Sequence, residues 1–213
     1  MIHNKKLEHT LQKVQKPGRY VGGELNSVVK DPSQVEVRFA FCFPDTYEIG
    51  MSHLGIKILY GAMNEIPYFW CERVFAPWVD MEEEMRREDI PLYALESGDP
   101  VSDFDFIGFT LQYELSYTNV LNMLELAGIP LRSKDRTKLR NIVVGGGPCA
   151  CNPEPLADFF DIFFLGDGEE VDIEVMELYR QCKKEGKSKL AFLEQAAQIQ
   201  GVYVPAFYDV TYN

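Results

Sequence analysis

Histidine is scarce in this chain. Of three residues, His3 and His9 stand in the N-terminal arm, and His53 alone lies in the body of the sequence. That leaves little for a histidine-rich metal site, and no H-E-x-x-H occurs. No C-x-x-C occurs among Cys42, Cys71, Cys149, Cys151 and Cys182, so a thioredoxin-like redox motif is excluded. No apolar run approaches the roughly 20 residues of a membrane span. The N-terminus "MIHNKKLEHTLQKV" lacks the apolar core of a secretory signal. Positive charge is short as well: 21 Lys and Arg face 33 Asp and Glu, a net charge of −12. That balance opposes broad attachment to nucleic acid or to an anionic membrane. The cysteines are odd in number, and with no export signal they read as free thiols in a reducing cytoplasm. Cys149 and Cys151 form a C-x-C pair, two of the four ligands a soft metal needs, and a buried apolar role is the default for them.

What is present points to a globular α/β domain. The 213 residues are 46% hydrophobic and 13% aromatic, enough for one core. Residues 2–14 carry a sparse helical stripe, Ile2, Leu7, Leu11 and Val14, stopped by Pro17 and Gly18. "RYVGGELNSVVKD" reads as an extended arm. Strands are expected at "VEVRFAFCF" (35–43), "WCERVFAP" (70–77), "PLYAL" (91–95), "FDFIGFTLQ" (104–112), "NIVVG" (141–145) and "DIFFLG" (161–166). Between them lie helical patterns through residue 64, over 79–89 and from Ser116, read as an N-cap, to Gly128. Further patterns run over Glu169 to Lys183 and 188–198. Asn152 and Pro153 fit the start of a short helix. This alternation predicts a Rossmann-like, mostly parallel open sheet with helices on both faces. The boundaries drawn are 1–33 for the arm, 34–200 for the α/β domain and 201–213 for a strand-like tail. "GVYVPAFYDVTYN" stops in mid-pattern, so the chain reads as the front part of something longer.

In such a sheet, ligands bind beyond the strand carboxyl ends, where strand order switches. Gly145, Gly146 and Gly147 strip the side chains from one such end, which suits close approach of a bulky planar or extended ligand. No phosphate-loop glycine pattern is present. In "GDGEE" (166–170), Asp167, Glu169 and Glu170 would repel a phosphate from the helix start; they read as self-capping acids or as acceptors for ligand amides and hydroxyls. His53 follows the first strand, with Asp45 and Glu48 near in sequence. Arg132, Lys134, Arg136, Lys138 and Arg140 lie in one connection and read as a solvated loop, with local RNA contact the minority option.

Together, "VVGGGPCACNPEPLADFFDIFFLGDGEE", "GRYVGGELNSVVKD", "FPDTYEIGMSHLGIKILYGAMN", "ERVFAPWVDME", "SDFDFIGFTLQYELSYTNVLNMLELAGIPLRS" and "GVYVPAFYDVTYN" resemble a family of radical S-adenosylmethionine (radical SAM) proteins. In that family a cobalamin-binding-like domain precedes the catalytic domain. The resemblance covers about residues 16–213. It implies a slot between sheet and helices for the nucleotide tail of a cobalamin, lined by the glycine pair Gly145 and Gly146, beside which the bare strand end adds Gly147. It implies a tail contact at Thr110, with Gln112, Gly166, Gly168 and Glu169 bordering the same site. It places His53 where the lower axial ligand of cobalt usually stands. Two departures are visible: the usual D-x-H-x-x-G is "MSHLG", with Met51 for the aspartate, and S-x-L is "TLQ".

The resemblance further implies a 4Fe-4S cluster and S-adenosylmethionine in the parent protein, bound by a C-x-x-x-C-x-x-C loop. This sequence has no such spacing, so the module itself is expected to be non-catalytic and the catalytic domain to lie downstream in the same polypeptide. The alternative is a ligand-free interaction module that helps admit substrate, its slot filled by Tyr113, Tyr117 and Phe164. A flavodoxin-like nucleotide binder is disfavoured by the acidic helix start.

Overall fold

The computed structural model describes residues 5–211; Ile2, His3 and the last two tail residues lie outside them. Six strands form one sheet: β1 (Val37–Phe43), β2 (Phe69–Phe75), β3 (Phe106–Thr110), β4 (Ile142–Gly146), β5 (Ile162–Phe164) and β6 (Val202–Tyr203). Their order is β2-β1-β3-β4-β5-β6. β1 to β5 run parallel and β6 is antiparallel to β5. The expected α/β architecture is present, in the 2-1-3-4-5 order of flavodoxin-like sheets. Central strands buried on both faces explain the unbroken apolar text of "FAFCF" and "IVV".

Seven helices accompany the sheet among the described residues: α1 (Lys5–Leu11), α2 (Tyr47–Ser52), α3 (Leu54–Glu65), α4 (Val79–Glu88), α5 (Tyr117–Leu126), α6 (Gly168–Lys184) and α7 (Lys189–Ala196). One face of the sheet carries Phe39 stacked on Phe106, and Phe106 meets Tyr179 of α6 and Phe192 of α7. α3 packs beside α6 on this face. On the other face, Phe109 and Phe163 meet Phe160. α4 and α5 are tied together where Arg86 donates to Asn122. Right-handed crossovers that travel in opposite directions put α3 and the α4–α5 pair on opposite faces.

β2 is an edge strand whose middle is the charged pair Glu72 and Arg73, both buried. The outward backbone groups of Phe69, Cys71 and Arg73 are met by other segments. Asn64 of α3 spans Cys71, accepting from its N–H at 3.1 Å and donating to its C=O at 2.9 Å. The Glu96 carboxylate accepts from the Arg73 N–H at 2.7 Å, and the Leu95 N–H donates to the Arg73 carbonyl. Lys30 donates to the Phe69 carbonyl. Arg73 also donates to Glu96 at 2.6 Å, and Arg38 pairs with Glu72. An open sheet edge invites pairing with other chains; here it is closed.

Several local expectations need correction. "PLYAL" is not a sheet strand. It makes one isolated bridge, Tyr93 to Pro100, and lies across the β2 edge through Leu95. "TYEIGMS", read as loop, is the helix α2. Pro17–Tyr20 of the arm is a 3-10 turn. Ser116 does not cap α5, because its hydroxyl donates to the Tyr113 carbonyl. The helix after Asn152 is a single 3-10 turn, Glu154–Leu156, begun by Pro153. The basic connection is not uniformly solvated. Arg136 is buried on Asp161 at 3.1 Å, with Lys189 on the same carboxylate at 2.7 Å. Arg132 and Arg140 pair with Asp158 and Asp103.

Removing one member of a buried ion pair strands the other. Glu96→Ala leaves Arg73 and its own N–H without their main acceptor. It is expected to lower stability by about 3–5 kcal/mol in urea unfolding. A loss under about 1 kcal/mol would show that the edge is not held this way.

Candidate functional site

The order reversal falls between β1 and β3: the chain leaves β1 for β2, then returns past β1 to β3. At the carboxyl ends of these strands, beneath α3 and α6, lies a cavity of about 210 Å³. Its floor is Phe39 and Phe41 of β1, Gly108 and Thr110 of β3, and Val144 and Gly146 of β4. Gly55, Ile58 and Leu59 of α3, with Gly168 and Asp172 of α6, roof it, and Phe164 makes a wall.

The glycines have separable roles. A Cβ on Gly108 would stand 2.2 Å from Cζ of Phe39, so the ring lies flat over a bare backbone. A Cβ on Gly146 would meet only the Phe164 Cβ, at 3.8 Å, so the space above it is free. Gly147 has φ of +96°, which disfavours any side chain. Gly145 points to the opposite face, where a Cβ would lie 2.8 Å from the Phe160 ring. Of the glycine trio, Gly146 and Gly147 therefore line the cavity and Gly145 packs on Phe160. His53, Thr110, Gln112, Gly166, Gly168 and Glu169 all line the cavity as well.

The polar groups divide by depth. Gln112 donates to the Thr110 hydroxyl at 2.6 Å, which leaves that hydroxyl's own proton for a ligand. Asp167 and Glu169 are exposed at the mouth. Of the acids in "GDGEE", Asp167 sits at the N-cap position of α6 without a side-chain bond to the helix, and Glu169 and Glu170 stand in its first turn, where the helix dipole favours them. His53 is the N-cap of α3, its Nδ1 accepting from the Ile56 N–H at 3.4 Å. An imidazole that accepts through Nδ1 carries its proton on Nε2, so no lone pair is left there for a metal. Met51, in place of the aspartate, accepts from Arg73 instead of orienting His53. Among the described residues, no group of three or more His, Cys, Asp or Glu side chains is placed to hold a metal ion.

Tyr113, Tyr117 and Phe164 do not fill the slot. Tyr113 donates to Asp45 and is exposed, Tyr117 lies beside Cys149, and neither lines the cavity; Phe164 borders it and leaves it open.

Sequence reasoning missed Asp172. It lies one residue beyond Val171 and shares the inner face of α6 with Val175, Met176 and Tyr179, at i, i+3, i+4 and i+7. A carboxylate on that stripe was the available signal. Its side chain is 6% exposed and borders the cavity. Burial, with a smaller push from Glu169, raises its pKa from 3.8 to about 7. Between about pH 4 and 7 the folded chain thus holds a proton that the unfolded chain has lost. Stability falls as pH rises through this window and levels off above it, a total of up to about 4 kcal/mol. Asp172→Asn is expected to match the parent near pH 4 and to exceed its stability at pH 8, measured by urea unfolding. Parallel pH profiles for the two proteins would refute this account.

No helix among the described residues is long and apolar enough to cross a membrane. No solved structure matches the chain. An uncharacterized protein of Methanocaldococcus jannaschii is 28% identical over 148 residues, which are 69% of this chain and 28% of that protein. The chain thus spans less than a third of this relative's length. Residues 55–205 match the family described as radical SAM proteins, N-terminal. That stretch holds β2 to β6 and the cavity from Gly55 to Asp172, and over it this chain belongs to the N-terminal domain family of radical SAM proteins.

Proposed function

We propose that this domain is a cofactor-holding module, with the nucleotide tail of a cobalamin-type cofactor in the cavity between the sheet and helices α3 and α6. The observation that carries the reading is an open cavity at the strand-order switch, bounded by Gly146 where no side chain intrudes. The volume of about 210 Å³ suits part of a large cofactor rather than all of it, so a corrin ring would rest outside the mouth. Gly146 and Gly147 would border the tail, and Thr110, braced by Gln112, would donate to it. The residues present fit the tail and do not fit a histidine ligand to cobalt, because His53 caps α3. When bound, a cobalamin supplies alkyl-transfer chemistry; this chain's own residues would bind and orient it. The 4Fe-4S cluster and S-adenosylmethionine belong in this reading to a catalytic domain of the same polypeptide, in keeping with the greater length of the archaeal relative. Five free cysteines suit a reducing cytoplasm. The acidic balance argues against this module gripping RNA. The open cavity speaks against a ligand-free interaction module.

Hydroxocobalamin mixed with the chain is expected to shift its visible spectrum and to co-elute on gel filtration. Gly146→Leu, which the local space accepts, should lower the affinity about tenfold or more while the fold is kept. His53→Ala should leave the cobalt spectrum unchanged and lower stability by only about 1 kcal/mol through the lost cap. Absence of both spectral shift and co-elution with the parent chain would end this proposal.

A further inference from the structure

The buried carboxyl of Asp172 has a place in the fold that packing does not explain. It stands on the apolar stripe of α6, where Val175, Met176 and Tyr179 fill the core. Among the described residues it takes part in no hydrogen bond or ion pair; its electrostatic neighbours are Glu169, one turn toward the helix start, and Cys71 on β2. Glu169 opposes its ionisation, and the neutral Cys71 thiol offers it no compensating charge. Acids near a helix N-terminus are favoured by the backbone dipole, but exposed Glu169 and Glu170 already serve that purpose. A leucine or methionine at 172 would extend the core. A polar group buried without a partner weakens a fold, and such groups in clefts mark places where a ligand supplies the partner. The space around it is kept open: a Cβ on Gly168 would come within 3.2 Å of Asp172 Oδ2.

The rest of the cavity narrows the guest. Phe39, lying over Gly108, and Phe41 give the floor flat ring surface, Phe164 gives a flat wall, and Gly146 leaves its part of the floor without a side chain. The volume of about 210 Å³ exceeds the roughly 150 Å³ that accepts a benzene, so a two-ring system fits. Asp167 and Glu169 at the mouth disfavour an anionic group inside, so the part of a nucleotide tail that enters is its uncharged base and not its phosphate. A divalent cation lacks the further ligands it needs.

We infer that Asp172 is the specificity-determining contact for a flat nitrogen heterocycle of the benzimidazole type, held by one proton shared between a carboxyl oxygen and a ring nitrogen lone pair. The bond forms whichever of the two atoms carries the proton, as O–H···N or as O⁻···H–N⁺. A carbocycle of the same shape leaves the carboxyl unpaired and is rejected on that account. This deepens the cofactor-module reading and rests on it for the parent molecule to which the heterocycle belongs.

The test compares two free probes of matched shape, 5,6-dimethylbenzimidazole and 5,6-dimethylindane, on the 213-residue chain by ligand-observed NMR titration. The wild type is expected to bind the nitrogen base about tenfold or more tightly than the indane. Asp172→Leu should abolish the preference, through weaker binding of the base and equal or tighter binding of the indane. A variant that merely disturbed the fold would weaken both. Asp172→Ala serves if leucine is not accommodated, and the wild-type comparison needs no variant. Equal affinity of the wild type for both probes, or an undiminished preference in the variants, overturns the inference. Hydroxocobalamin separates the two proposals. Base preference without cobalamin binding refutes the cofactor and keeps Asp172's role. Cobalamin binding that Asp172→Leu leaves unchanged keeps the cofactor and refutes that role.

Discussion

The reversal of strand order between β1 and β3 is the constraint from which the rest of this structure follows. Two crossovers that start in opposite directions must cover opposite faces of the sheet. The strand ends between them are left uncovered, and α3 and α6 converge over the gap. Their approach is set by Gly168, where a Cβ would meet Leu59 of α3 at 3.2 Å. Beneath them, Gly108 and Gly146 keep the sheet surface low. The cavity is thus a product of topology that glycines keep from being filled.

Charge is distributed with the same division of labour. Buried pairs stand away from the cavity: Arg73 with Glu96 and Arg38 with Glu72 at the β2 edge, and Arg136 and Lys189 with Asp161 at the start of β5. Each of these charges is compensated by an opposite charge and by further polar groups, side-chain groups for Arg38 and Arg73 and backbone carbonyls for Arg136 and Lys189. Around the cavity the acids stand without such partners, with Asp172 deepest.

Much of this was readable in the sequence where one physical rule dominates. β1, β3, β4 and β5 are apolar runs too short to be anything but buried strands, and α6 shows its stripe across four turns. The glycine run 145–147 marked a strand end that borders the cavity through Gly146 and Gly147, and Gly166 and Gly168 stand at a helix start that borders it too. Other features depend on distant partners that no local pattern records. Glu72 and Arg73 look out of place in a strand until Arg38 and Glu96 are supplied by other segments. "PLYAL" has strand text because it runs along a sheet edge without joining the ladder. Which of the three glycines faces the cavity is fixed by strand pleat, and therefore by register. Asp172 hid among the acids of a helix start, although its spacing placed it on the inner face. His53 drew attention by being alone, whereas the structure employs it to begin a helix.

The way the β2 edge is closed affects how the protein opens. Backbone amides on an edge strand ordinarily exchange their hydrogens by fraying, because nothing lies beyond them. Here the Cys71 amide is clasped by a side chain from α3 and the Arg73 amide by one from the segment after residue 90. Neither amide is freed by peeling a neighbouring strand; release requires loosening elements that are themselves part of the core. The β2 edge thereby opens together with the core elements that clasp it and not ahead of them.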